Sequence, residues 1–310
     1  WLDHEVPVEW LAELLALIRR RGSIPSNAPD WTASVVLELA SRKLLEHHFP
    51  LLVAARGEYL VKTTDFTFAP GTERYRLPAR CASVRLVSYL QADGQRDTIE
   101  EASPVELDQL GANINRQGRP SRFTFAEHAV TLWPIPGSAS DKMRVKWHIR
   151  PSRIVENTNA AAITLIEADT PSAGQTRLTF VAPGGSLFPG TTAKTDLVKA
   201  SSPFDLIGYD LTPLSGTATT RVFTSSQLPA DLEVGDFISG AGYTPFANVP
   251  VELHLALALR TAAAIITAKD DSLAKRLEDE AIAAERSLLI GILAPRSKGN
   301  PKRIISRHWS

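Results

Sequence analysis

Seven histidines and one cysteine are the residues of this chain best suited to metal or nucleophilic chemistry. The histidines stand at His4, His47, His48, His128, His148, His254 and His308, and no pair has the HExxH or CxxC-like spacing that sets ligands on one face. His47 and His48 are adjacent, so on a helix they diverge by about 100° and cannot chelate together. Cys81 lies in the apolar run PARCASVRLV and reads as a buried, inert thiol; as the only cysteine it excludes an internal disulfide. The piece Val181-Ala182-Pro183-Gly184-Gly185-Ser186 lacks the lysine of GxxxxGK[ST], the GxGxxG pattern and a following helix, so it reads as a turn and not a phosphate cradle. No GxSxG elbow occurs. The carboxylate pairs Asp3/Glu5 and Asp205/Asp210 stand outside any aromatic-rich context of the glycosidase kind. The pattern predicts no catalytic residue, no metal site and no cofactor, hence a non-enzyme. A site assembled from dispersed residues is the catalytic alternative that it leaves open.

Charge excludes another class. Lys plus Arg (34) equals Asp plus Glu (34), so no overall positive field draws the chain onto nucleic acid or acidic lipid, and any such contact is local. Lys142, Arg144, Lys146 and Arg150 alternate with apolar residues; they read either as a solvated strand face that blunts edge aggregation or as a polyanion contact. No stretch approaches the roughly 18 apolar residues that span a bilayer, so no membrane is implied. Met143 is the only methionine, and residues ahead of Trp1 are expected.

The elements that must position these groups change period along the chain. At 310 residues and 44% hydrophobic content, the chain can build one large domain or two ordinary ones. Leu11, Leu14, Leu15 and Ile18 recur at helical spacing before Arg19, Arg20, Arg21 and Gly22, which predicts an amphipathic helix over 8–21. A second helix is predicted from an Asp30 cap to Phe49, with Val35, Leu39, Leu44 and Leu45 as its apolar face and Pro50 as its stop. From 57 to 154 the period becomes two, most clearly over Lys142 to Arg150, and a small antiparallel sheet with Phe125 and Trp147 in its core is expected. From 156 to 248 Gly, Pro, Thr and Ser rise and short apolar runs alternate with turns, as in a small all-β insert. After Pro250 the helical period returns in VELHLALALRTAAAIITAKDD, and a further helix capped by Asp271 or Ser272 runs to Leu293.

The expected fold class is therefore α+β: a helical-bundle body from the N- and C-terminal helices, with an inserted small antiparallel sheet and a further all-β insert. The expected domains are 1–154 (helix pair and sheet), 155–249 (β insert), 250–295 (long helices completing the body) and 296–310 (an extended basic arm). That arm carries Arg296, Lys298, Lys302, Arg303 and Arg307 beside Ile304, Ile305 and Trp309, without an acid. It reads either as a partner-ordered segment with Trp309 as its anchor or as a disordered tail. Leu255, Leu259, Ala263 and Ile266, in the Ala-rich helix, read either as internal bundle packing or as subunit packing in a ring.

The order of these elements, with RFTFAEHAVTLWPIPGSASDKMRVKWHIRPSRIV, LPADLEVGDFISG and PVELHLALALRTAAAII among them, resembles the head-to-tail connector (adaptor) proteins of tailed bacteriophages. The turn Trp133-Pro134-Ile135-Pro136 and the return along Val145 to Arg150 into Pro151 carry the likeness best. The resemblance implies a virion structural protein in the neck, assembled in the host cytoplasm. It would form a dodecameric homo-oligomeric ring between portal protein and a tail or nozzle protein, with genomic DNA passing through its channel without sequence-specific contact. The arm would then be the portal-binding segment. The alternative within the virion is a component whose β insert is a glycan- or tail-binding module.

Overall fold

The computed structural model describes residues 7–54, 60–103, 105–106, 116–169, 173–201, 204–250 and 252–291. The basic arm expected at 296–310 lies outside them. By contact the chain divides into two compact units, one from the described residues of Glu58–Val249 and one from those of Val8–Gly57 and Pro250–Ser310.

The first unit is β. Its strands begin with β1 (Val61–Thr67), β2 (Arg74–Arg76), β3 (Cys81–Leu90), β4 (Arg96–Glu101), β5 (Gln117–Gly118), β6 (Arg122–Ala126), β7 (Ala129–Trp133), β8 (Ile135–Pro136) and β9 (Lys142–Ile149). All but β5 and β8 form one seven-stranded sheet in the order β1-β9-β3-β4-β6-β7-β2. Neighbours are antiparallel except β4 and β6. The alternation in β9 does what its period requires: Met143, Val145 and Trp147 are fully buried, while Lys142, Arg144 and Lys146 take the other face. The sheet curls until its outer strands meet, with Phe66 of β1 and Tyr75 of β2 in ring contact at 5.9 Å. The Trp133–Pro134 peptide is cis.

The second sheet uses β11 (Ala160–Ala168), β12 (Gln175–Phe180), β13 (Thr195–Val198), β14 (Leu206–Leu211), β15 (Ser215–Gly216), β16 (Thr220–Thr224) and β17 (Phe237–Gly240). It is antiparallel throughout in the order β14-β13-β17-β11-β12-β16-β15. Ala161, Ile163, Leu178, Phe180, Leu197, Phe223 and Ile238 form its core. The short parallel pair β10 (Arg153–Ile154) and β18 (Tyr243–Thr244) lies at its entry and exit.

The second unit is helical. Helix α1 (Pro7–Arg21) buries Leu11, Leu14 and Ile18. Helix α2 (Ala33–Lys43) is capped by Thr32, whose Oγ1 accepts the Val35 N–H, rather than by Asp30. A π-helical turn (Leu44–His48) leads directly into α3 (Phe49–Ala54). Pro50 therefore does not stop the helix; it sits in the first turn of α3, where a missing N–H is tolerated. The buried face is Val36, Leu37, Ala40 and Leu44; of the expected face Leu44 is buried and Leu39 half-buried, whereas Val35 and Leu45 are 41% and 48% exposed. Helix α4 (Leu253–Ile266) is buried on most sides, and α5 (Asp271–Gly291) packs along it. Asp270, through Oδ1 accepting the Leu273 N–H at 3.0 Å, caps α5.

The expectation of a helical-bundle body with β elaborations is overturned. Strand accounts for 34% of the described residues against 28% helix, and the larger core lies in two seven-stranded sheets. The misreading has a physical cause. One long helix shows its period over many residues, whereas a sheet core is assembled from short strands such as Thr195–Val198 and Phe237–Gly240, buried on both faces and so without alternation. The strand carrying Lys142, Arg144 and Lys146 is likewise not an edge: β9 lies between β1 and β3, and alternation alone does not tell an interior strand from an outer one.

Candidate functional site

The groups suited to chemistry are held in structural ties. In the β unit Asp196 of β13 is fully buried and accepts hydrogen bonds from Arg80 Nη1 at 2.6 Å and from the N–H groups of Asp210 and Gly242 at 2.9 Å each. Arg80 Nη2 also donates to Ser152 Oγ at 2.7 Å. Burial pushes the Asp196 carboxyl up, and Arg80 with the two N–H groups only partly counters it. Arg80 immediately precedes β3 in the first sheet, so this pair pins sheet to sheet. Trp147 of β9 helps by meeting Tyr209 of β14 edge-on at 5.6 Å while its indole N–H reaches Thr64 Oγ1 at 3.0 Å. Lys62 Nζ donates to the Leu206 carbonyl across the same boundary.

In the helical unit Glu285 of α5 receives a bidentate Arg260 from α4, at 2.6 and 2.8 Å. The fully buried His48 places Nε2 3.2 Å from the same carboxylate. Burial opposes ionisation of Glu285, but Arg260 and His48 outweigh it and hold the carboxyl down to about 2. His254 Nδ1 accepts the Trp10 indole N–H at 2.8 Å, which ties α1 to α4.

The remaining candidates from the sequence fall elsewhere. Burial pushes the Cys81 thiol up to about 12, although Arg150 opposes the shift. Gly185 lies in the loop after β12, where an added Cβ would stand 2.1 Å from Asn159 Oδ1, so close backbone approach accounts for the glycine. Arg144 is engaged by Asp65 on β1 at 2.7 and 2.6 Å, leaving Lys142 and Arg150 as the exposed cations of that run. Trp147 is in the first sheet's core, but Phe123 rather than Phe125 is the fully buried phenylalanine of β6. Among the described residues no group of three or more His, Cys, Asp and Glu could hold a metal, and no helix is long and apolar enough to cross a membrane.

The surfaces are more informative than the interior. Of the residues singled out in α4, Leu259, Ala263 and Ile266 are buried within the helical unit, and Leu255 is 41% exposed. A groove of about 680 Å³ runs along α1, lined by Ala12, Leu15, Ala16, Arg19, Arg20 and Ile24. Sequence reading placed Leu15 on the buried stripe and missed the groove; the available signal was the alanine pair four apart, which leaves a shallow face beside Leu15 and Arg19. It also missed Arg80, Asp196, Arg260 and Glu285, whose partners are far away along the chain.

A family model described as SU10 adaptor protein matches residues 11–178, more than half of the chain. The match runs from α1 through the first sheet to β12 in the second. No curated protein matches the chain.

Proposed function

Because the chain belongs to the SU10 adaptor protein family and so is a structural adaptor of a phage virion, we propose that it is the head-to-tail connector: a homo-oligomeric, dodecameric ring seated between portal and tail, with DNA passing through its channel. The family match is the observation that carries this reading. The balanced charge supports it, since a wall past which DNA slides is served by weak rather than strong phosphate attraction. The C-terminal residues Arg296 to Trp309, outside the described residues, are assigned to portal contact, as cations flanking bulky apolar anchors suit a docking segment. Leu255, exposed on α4, is assigned to packing between copies, and Leu259, Ala263 and Ile266 to the packing beneath it.

Light scattering of the purified chain, alone and with a portal ring, tests the reading. A fixed mass increment on the portal is expected; a chain indifferent to portal would sink it. A chain ending at Pro295 is expected to keep its thermal midpoint and to lose portal binding. Full binding by that shortened chain removes the assignment of the arm.

The second sheet favours one other reading. The family match stops within it, and the loop after β12 exposes Val181 (73%) and Leu187 (43%). On that reading the sheet is a glycan- or tail-binding module. A glycan array and a pull-down with tail proteins that both stayed blank would dispose of it.

A further inference from the structure

The outward face of the first sheet is basic around β9. Strand alternation points Lys142, Arg144 and Lys146 outward at intervals of about 6.6 Å, and Arg96 of β4 stands two strands away in the row of Lys142. Asp65 of β1, directly across from Arg144, is the carboxylate of these rows. Arg144 grips it at 2.7 and 2.6 Å and holds its carboxyl below the ordinary range against some loss of water, with Lys142 and Arg96 adding to the effect. Arg96, Lys142 and Lys146 are left without an ion pair of their own among the described residues. The neighbouring acids are engaged elsewhere. Glu100, farther along β4, pairs with Arg122 at 2.5 Å. Asp97 and Asp141 take the other face, with Arg119 and the Tyr89 hydroxyl. Asp93 accepts the Gln95 N–H in the turn after β3.

What surrounds the cations narrows the partner. Thr63, Thr67 and Thr98 add exposed hydroxyls on the flanking strands, and lysine, arginine and threonine are the side chains that bind phosphate oxygens. No Phe, Tyr or Trp points outward from these rows, so the bases of a single strand have nothing to stack on and a protein partner has no aromatic anchor. Such a face fits a polyanion that repeats its charge regularly and turns its bases inward.

We propose that this face binds the phosphate backbone of duplex DNA without regard to sequence, through Arg96, Lys142 and Lys146 around the fixed Arg144. The inference rests on the connector reading for the duplex that it would meet, and it names the surface that meets it.

The test is anisotropy of a labelled duplex of random sequence, titrated with the full chain over a salt series. Binding in the non-specific range, about 1–100 μM near physiological salt, is expected, with log K falling linearly against log salt. Lys142→Gln and Lys146→Gln are each expected to reduce that slope by about 1, with unchanged thermal midpoints. Lys275→Gln, on the exposed side of α5, is expected to leave it alone. An unchanged slope in either face variant, or an equal drop from Lys275→Gln, overturns the proposal and puts any binding elsewhere, the basic arm included. Tighter binding of the matching single strand, or of vesicles containing phosphatidylserine, overturns the choice of partner. Should a variant fail to fold, amine acetylation of the parent chain, read by mass spectrometry, is the second readout. Duplex is expected to protect Lys142 and Lys146 and not Lys275; equal labelling with and without duplex overturns the face. A chain that adds to portal by a fixed increment yet ignores duplex overturns the face and leaves the connector reading standing. A chain that binds duplex through Lys142 and Lys146 but is indifferent to portal keeps the face and sinks the connector.

Discussion

Each unit of this protein buries a carboxylate against an arginine, and the two carboxylates respond in opposite directions. Asp196 in the β unit is fully enclosed; its three partners do not make up for the lost water, and its carboxyl is pushed up. Glu285 in the helical unit keeps a trace of exposure, receives both arms of Arg260 and lies against His48, and its carboxyl is held down to about 2. The difference lies in the donors. One shared guanidinium and two neutral N–H groups do less for an anion than a bidentate guanidinium with an imidazole beside it. Asp196 is a costly charge kept for the geometry that it imposes between sheets, whereas Glu285 is a favourable charge that fastens α5 to α4 and to the π-turn.

The largest effect is expected from Asp196→Asn, which takes the nearest counter-ion from the mostly enclosed Arg80 and leaves it only Asp210, at 4.0 Å. The β unit should lose about 3–5 kcal/mol, measured by denaturant unfolding followed through Trp147 fluorescence. A loss below about 1 kcal/mol would mean that Arg80 relaxes to water and that the sheets are not pinned there. Glu285→Gln is expected to cost about 2–3 kcal/mol, the range for losing a hydrogen-bonded charge partner.

Acid separates the two sites by sign. The folded pKa of Glu285, about 2, lies below its unfolded value of 4.5, so its stabilisation is complete above about pH 4.5 and fades as the pH falls toward 2. Asp196 is shifted the other way, so its protonation on acidification favours the folded β unit. Amide exchange in α4 and α5 should quicken between about pH 4.5 and 2 in the parent and lose that dependence in Glu285→Gln, with no matching change in β13. Parallel behaviour of β13 would break the contrast. The smallest effect is expected from Trp147→Phe, about 1 kcal/mol for the bond to Thr64, a loss confined to the β unit.

Legibility in the sequence followed the range of the interaction. Residues 8–21 announce α1 almost to the residue, since Leu11, Leu14, Ile18 and the closing arginines act within one helix. The alternation of β9 was equally readable, whereas the piece from Trp133 to Pro136 read as a turn holds the end of β7 and the short strand β8. Thr32 took the cap expected of Asp30, and Pro50 was absorbed into a continuing helix by the π-turn ahead of it, because both outcomes depend on how the helix packs. The groove on α1 escaped notice, since its lining is defined by what does not cover Ala12 and Ala16.

By itself the sequence determined the local periods, the balanced charge, the lack of a recognisable catalytic or metal spacing, and a likeness that the family match upheld at the level of a phage adaptor. Only the tertiary structure decided that β structure and not a helical bundle carries most of the core, that β9 is an interior strand, and that Arg80 meets Asp196 and Arg260 meets Glu285. The reason is physical. Periodicity records which face of an element is apolar, whereas strand order and buried ion pairs are settled by the elements that close over that face, and those come from distant parts of the chain.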